Sequence, residues 1–356
     1  MSDIIVIGGG IAGVSAAAAL SRDAHVTLIE AEPHLAYHAS GRSAAMFLQD
    51  YGNDTVRALN RASAAHLHDN GILRQRGVML LARTDQHDSF VIENAAFGLT
   101  ELDLDTAQSL FPILNRASVA HAGYRPDVHD LDTDLLIQGY RKQALAQGAV
   151  FETGARISEI HRDQGRWHVT WPGGSAQADM LVNAAGAWAD NVAQMAGVTP
   201  LGLQPYRRSM AVMAPPGGHD VTDWPFVDGV DEGWYAKPDA GQWLVSPCEE
   251  HALSPQDAWA DDMVLAEGLE RYQEMVTEPV TRITHNWAGL RTFAPDRALV
   301  IGADGQVPGF YWLAGQGGYG FQTAPAAAQL LGDLVNGRPP MLEASAVAAL
   351  SPRRFA

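Results

Sequence analysis

Arg208 and Arg291 are the side chains best suited to chemistry on a small charged molecule. A guanidinium offers a planar fork that takes a carboxylate through two parallel bonds, and an anionic partner offsets the cost of drying it. Arg291 lies inside the apolar run 287–293, where a solvated surface arginine is out of place. The histidines are scattered without metal-ligand spacing; His66 and His68, two apart on a helical stretch, face different ways, so no metal is expected. The single cysteine, Cys248, excludes an intrachain disulfide framework and any zinc site built on several thiolates.

A second set of residues suits a dinucleotide. Gly8-Gly9-Gly10-Ile11-Ala12-Gly13 follows a short β-branched run and precedes a small-residue helix. There Gly8 permits the tight turn, Gly10 lets the backbone approach a pyrophosphate, and Gly13 lets helix and strand pack closely. The phosphates would rest on helix amides that lack an intrahelical partner. Glu30 closes the next strand, where a carboxylate accepts from the ribose hydroxyls. This turn alone fits NAD or FAD. Beyond it, Ser40-Gly41-Arg42-Ser43-Ala44-Ala45 places small residues, hydroxyls and a cation where the pyrophosphate and ribityl chain of FAD would pass. Val182-Asn183-Ala184-Ala185-Gly186-Ala187-Trp188 suits a planar ring lying against backbone. Gly315-Gln316-Gly317-Gly318-Tyr319-Gly320-Phe321-Gln322-Thr323 opens the last helix, whose dipole would stabilise negative charge on a reduced flavin.

The elements that must position these residues are read from periodicity. Buried strands are expected at 3–7 and 25–29 around a helix at 11–20, with a helix at 55–70 and a strand at 78–82. A helix at 131–147, capped by Asp132 and closed by Gly148, precedes strands at 149–153, 156–161, 167–171 and 179–183. The middle pair forms a hairpin turned at Gln164-Gly165. Residues 204–286 are alternating and aromatic, with one helix at 263–276; strands at 298–301 and 310–314 and a helix at 321–335 follow. The fold class is therefore α/β: a discontinuous Rossmann-like FAD-binding domain (1–78, 130–203 and 286–356) with an inserted strand-rich α+β substrate-binding domain (79–129 and 204–285).

Composition is that of a globular chain. The 356 residues are 47% hydrophobic and 18% charged, which excludes a disordered or fibrous chain. A net charge of −17 and no basic run argue against a nucleic-acid partner. No basic leader and no apolar stretch of spanning length is legible, so a cytoplasmic protein is expected, with peripheral attachment to the inner membrane left open.

Taken together, Gly8 to Gly13, Glu30, Gly41-Arg42-Ser43-Ala44, Asn183 to Trp188, Trp287-Ala288-Gly289-Leu290-Arg291 and Gly315 to Gln322 resemble the D-amino-acid oxidase superfamily of flavoproteins, and within it the bacterial FAD-dependent D-arginine dehydrogenases. The likeness runs over nearly the whole chain. It implies non-covalent FAD lined by Ala12, Glu30, Ala31, residues 39–46 including Met46, Ile157 and Gln322. It implies catalytic positions at Tyr51, Arg208, Tyr235, Arg291, Gly318 and Gln322, with Tyr51 on a mobile lid at 48–54. Cys248 matches no flavin-attachment position and reads as an inert buried thiol.

The implied activity is oxidative deamination of a small D-amino acid: a hydride leaves the α-carbon, the imine hydrolyses to a 2-oxo acid and ammonia, and the electrons pass to a quinone or other acceptor. In the D-arginine enzymes a Glu matches Val78 and a His matches Met46; both positions are apolar here. Neutral, apolar D-amino acids such as D-leucine are therefore expected, with Asp50 beside Tyr51 as the one alternative carboxylate. An oxygen-using oxidase of glycine, sarcosine or another secondary amine, a D-arginine dehydrogenase, and a non-enzymatic flavin-binding subunit stay open as readings.

Overall fold

A computed structural model describes residues 2–355; Met1 and Ala356, at the outer ends of the expected segments, lie outside the described residues. Asp3–Ile7 is the central strand of a six-stranded sheet, ordered Val300–Ala303, Phe310–Ala314, Met180–Asn183, Asp3–Ile7, His25–Ile29, Val150–Glu152. All pairs are parallel except Val300–Ala303 on Phe310–Ala314. Its strands are apolar on both faces because both are covered. Ile4 and Val6 pack with helices Ile11–Leu20, Asp54–Asp69, Thr133–Ala146 and Gly320–Val335, whereas Ile5 and Ile7 pack with Ile160, Trp167 and Val169 of a three-stranded antiparallel sheet.

The local signals behave as their chemistry requires. Asp132 accepts from Leu135 N at 2.8 Å and starts the helix at Thr133; Leu131, expected inside that helix, instead ends the short strand His129–Leu131. Gln164 and Gly165 turn the hairpin with φ of 47° and 85°. Strand Gly174–Ala178 and helices His87–Ala96 and Leu104–Leu110 were not legible as such, being short and only weakly patterned.

A second, nine-stranded sheet forms the other half of the molecule. Across it run Gln204–Met213, Gln242–Ser246, Trp234–Asp239, Phe226–Gly229 and Val78–Ala82 as successive neighbours. Alternation sorts its faces. Met79, Leu81, Val227, Trp234 and Ala236 join the aromatic core beneath helix Asp262–Glu274, while Val78, Phe226, Asp228 and Tyr235 face the opposite way, toward the first sheet. Strand His285–Phe293 pairs with the 204–212 stretch throughout, so the second sheet extends to Phe293, and Val78 opens a strand of that same sheet. The apolar run 287–293 carries no signal of which sheet it joins, because its partner lies some 80 residues away in the chain.

Candidate active site

One cavity of about 510 Å³ lies between the two sheets and is lined from both. At its nucleotide end Gly8 has φ +110°, and a Cβ there would stand 2.4 Å from Ala184 O; a Cβ on Gly13 would stand 1.8 Å from Gly8 O. Gly13 is thus a packing residue away from the cavity, whereas Gly8, Gly10, Ile11 and Ala12 line it. Glu30 lines it too, with its carboxylate held by Gly9 N and, at 2.8 Å, by Glu32 N; Ala31 stands beside it. Ser40 Oγ accepts from Ile11 N at 3.0 Å and so joins the 39–42 turn to the helix N-terminus.

Ser43, Ala44, Ala45 and Met46 continue the wall, with Ile157, Ala185 and Gly186 opposite. Gly41 is turned out: a Cβ there would lie 2.3 Å from Ala36 O, so its role is to make the turn. Arg42 borders the cavity but is not a free cation. It pairs with Asp257 at 2.5 Å and donates to the carbonyls of Ala258 and Ala288, which ties the 39–42 turn to the second sheet.

The second glycine turn arrives at the same place. Gly318, Gly320, Phe321 and Gln322 line the cavity, and a Cβ on Gly320 would meet Ile11 Cγ2 at 3.4 Å, so the two helix N-termini are neighbours. An elongated group with a pyrophosphate in its middle fits this cradle: two helix ends supply amides and favourable dipoles, and glycines clear the backbone approach.

The inner end carries the charged residues. Arg291 packs on Gly318, where a Cβ would come within 3.2 Å of its guanidinium carbon, and has no carboxylate within ion-pair distance among the described residues. Arg208 is over nine-tenths buried, stands 3.7 Å from Glu232 and 3.6 Å from Glu250, and its Nε has no partner among the described residues. Tyr235 is buried, which raises its hydroxyl pKa against the opposing pull of Arg291 and Arg208. Tyr51 reaches the cavity with its ring 5.5 Å from Tyr319 and 6.0 Å from Phe97. Its loop is tied down by the buried Asn60, whose amide donates to the carbonyls of Leu48, Gln49 and Tyr51.

Val78 and Met46 form an apolar wall with Leu48 and Phe97. Asp50 does not reach it; its carboxylate faces Arg61 at 3.3 Å and Arg125 at 3.7 Å, because the loop backbone turns it outward. Two residues that sequence reasoning passed over, Asp228 and Glu232, line the cavity, and so does Cys248. Burial raises the Asp228 carboxyl well above the usual range, reinforced by Glu93 and Glu232 and opposed by Arg208. Burial likewise pushes the Cys248 thiol up to about 12, so it is a cavity wall and not a thiolate. The signal for Asp228 was parity: the 230–233 turn sets it directly across from Tyr235.

Known proteins match this arrangement. The profile of a family described as FAD dependent oxidoreductase matches residues 3–334. Human mitochondrial dimethylglycine dehydrogenase is 25% identical over 376 aligned residues, covering 95% of this chain and 43% of that protein. The chain thus spans less than half the length of that relative. Among solved structures, L-proline dehydrogenase from P. horikoshii superposes with a TM-score of 0.83 at 22% identity, covering 99% of this chain and 97% of that one. Glycine oxidase from Geobacillus kaustophilus gives 0.81 at 21% identity, with 99% and 98% covered. These two show the same fold.

Proposed function

Because this chain belongs to the FAD dependent oxidoreductase family, and FAD is its cofactor, we propose that it oxidatively deaminates a D-amino acid. The observation that carries this reading is the unpaired Arg291 beside Gly318 and Tyr235 at the inner end of the nucleotide cavity. FAD, when bound, supplies acceptance of a hydride. The protein supplies orientation, which is most of what such a transfer asks of it. Arg291 takes the substrate carboxylate through its fork. Tyr235, kept protonated by its raised pKa, donates a hydrogen bond to the same carboxylate. The apolar wall of Met46, Leu48 and Val78 keeps water off the α-carbon. A quinone or another small acceptor then takes the electrons.

A reading on an N-substituted amino acid has support in the likeness to L-proline dehydrogenase and dimethylglycine dehydrogenase. Anaerobic bleaching of the flavin spectrum separates the two. The expected outcome is reduction by D-amino acids and no peroxide release in air. Reduction by L-proline, glycine, sarcosine or dimethylglycine alone overturns the D-amino-acid reading, and no reduction by any of these compounds overturns amine oxidation altogether.

A further inference from the structure

Oxidation of an amine needs a free lone pair on nitrogen, yet an amino acid in neutral water carries an ammonium. The proton must go somewhere. The titratable groups at the inner end of the cavity narrow the choice. Arg208 and Arg291 are cations, and burial raises the pKa of Tyr51, Tyr235 and Cys248, so these three keep their protons at neutral pH. Glu250 pairs with Arg297 at 2.9 Å, and the Glu232 side chain is largely exposed. Asp228 is the carboxylate that remains.

The second sheet fixes its place. Asp228 is directly across from Tyr235 on the neighbouring strand, so both side chains leave the same face. Neighbouring strands stand about 4.8 Å apart, and Asp228 is one such spacing beyond Tyr235, on the side away from the Arg208 strand. It lines the cavity and is part-buried, and its carboxylate has neither a hydrogen bond nor an ion pair among the described residues. On its other side Leu80 stands opposite it, and Leu80 and Phe226 belong to one apolar cluster.

The charged and titratable groups that act on it come from separate elements. Glu93 belongs to helix His87–Ala96, Glu232 to the 230–233 turn and Arg208 to strand Gln204–Met213, while Tyr51 and Cys248 are on the cavity wall. Desolvation and the two glutamates favour the protonated form of Asp228, and Arg208 opposes them. A carboxylate so placed is a stronger base than one in water, which is what a proton acceptor at neutral pH requires.

We propose that Asp228 is a catalytic residue, the proton acceptor for the substrate ammonium. This rests on the amine-oxidation reading of the site above. With the substrate carboxylate at Arg291 and Tyr235, the α-nitrogen is roughly 3 Å from the carboxylate oxygens, less than the one strand spacing that separates Tyr235 from Asp228. The ammonium enters as the counter-charge of the ionised Asp228. One N–H bond breaks, its electron pair stays on nitrogen, and the proton goes to a carboxylate oxygen of Asp228. In a site closed to water this transfer is favoured, because it turns a buried ion pair into two neutral groups. The α-hydrogen then leaves with its electron pair to FAD while the nitrogen lone pair completes the C=N bond of the iminium product. Asp228 returns its proton to water once that product has left.

The test is the pH profile of kcat/KM for D-leucine, or for the compound of the panel above that bleaches the flavin fastest. Wild type is expected to gain activity with rising pH through the Asp228 pKa, well below that of the substrate ammonium. Asp228→Asn is expected to lose about a hundredfold or more at pH 7. It should recover once the pH exceeds the ammonium pKa, where the substrate brings its own neutral amine. An unchanged profile, or a loss that alkaline pH does not repair, overturns the inference and leaves amine oxidation standing.

Binding gives a second readout. 2-Aminoisobutyrate has the amine and the carboxylate but no α-hydrogen, so it cannot be oxidised. Its affinity for the flavoenzyme, read from the shift of the flavin spectrum, should rise with pH through the same value in wild type and stay flat there in Asp228→Asn. Should Asp228→Asn fail to retain flavin, Glu93→Gln decides. It keeps an acceptor for Asp231 N and removes one negative charge acting on Asp228, so the rise should move to lower pH, and an unmoved rise overturns the inference. Flavin reduced by no amino acid at any pH overturns the reading beneath it as well.

Discussion

Arg291 and Arg208 are chemically the same side chain in unlike surroundings. Arg291 has no carboxylate at hand, whereas Arg208 stands between Glu232 and Glu250. Arg291→Ala is therefore expected to lower kcat/KM by roughly 30-fold to several thousand-fold, the cost of about 2–5 kcal/mol for truncating one side of a buried charge pair. Flavin absorbance per protein should be kept, and unchanged kinetics would give Arg291 a structural role. Asp228 makes a prediction about pH. Its folded pKa lies well above the usual carboxylate value, so the folded state holds a proton that the unfolded chain releases above about pH 4. Stability from that proton is full below the unfolded pKa and is lost as pH rises through the folded one. The melting temperature of Asp228→Asn should accordingly gain on wild type from pH 5 to pH 8 without ligand. A gap that stays constant over that range would mean the carboxyl ionises at its ordinary value. Of the residues here, the arginines stood out in the sequence by type and setting and the tyrosines through the family resemblance, whereas Asp228 did not.

At the scale of elements, the glycine turn is where sequence and structure meet most directly. Gly13 has no room for a side chain, since the nearest atom is the Gly8 carbonyl that the turn itself presents. Gly13→Ala should push the Ile11–Leu20 helix off its strand, cost about 1–3 kcal/mol or more, and lose FAD; normal flavin content and melting temperature would count against this. That strand, helix, strand and Glu30 were all legible, because each is specified by neighbours in the chain. Helix Leu104–Leu110 was not, although its cap was available to be read: Asp103 accepts from Thr106 N at 2.8 Å. Strand His285–Phe293 was legible only as an apolar run, with no sign of its pairing to the 204–212 stretch. Its own pattern records burial and is silent about the partner strand.

Across the whole molecule, the nine-stranded sheet is joined to the small sheet of strands Met46–Phe47, His129–Leu131 and Leu73–Gln75 by charges as well as by packing. Asp130, on strand His129–Leu131, pairs with Arg76 at 2.5 Å and with Lys237 of the second sheet at 2.6 Å, and both cations are buried. Asp130→Ala leaves them uncompensated and should cost about 3–5 kcal/mol, read as a lower denaturation midpoint; an unchanged midpoint would show that packing alone sets the join. The sequence by itself determined the nucleotide half: a glycine turn, its flanking strands, Glu30 and the second glycine turn are local patterns, and local sterics and hydrogen bonding specify them. It also marked Arg291 as out of place in an apolar run. Only the tertiary structure decided what shares the cavity with it. Asp228 enters it, Asp50 is turned away, and Arg42 is taken by Asp257, because each outcome depends on which face a strand presents and which distant strand lies beside it. Those choices are made by pairing between residues up to some 200 positions apart, and no window of sequence contains both partners.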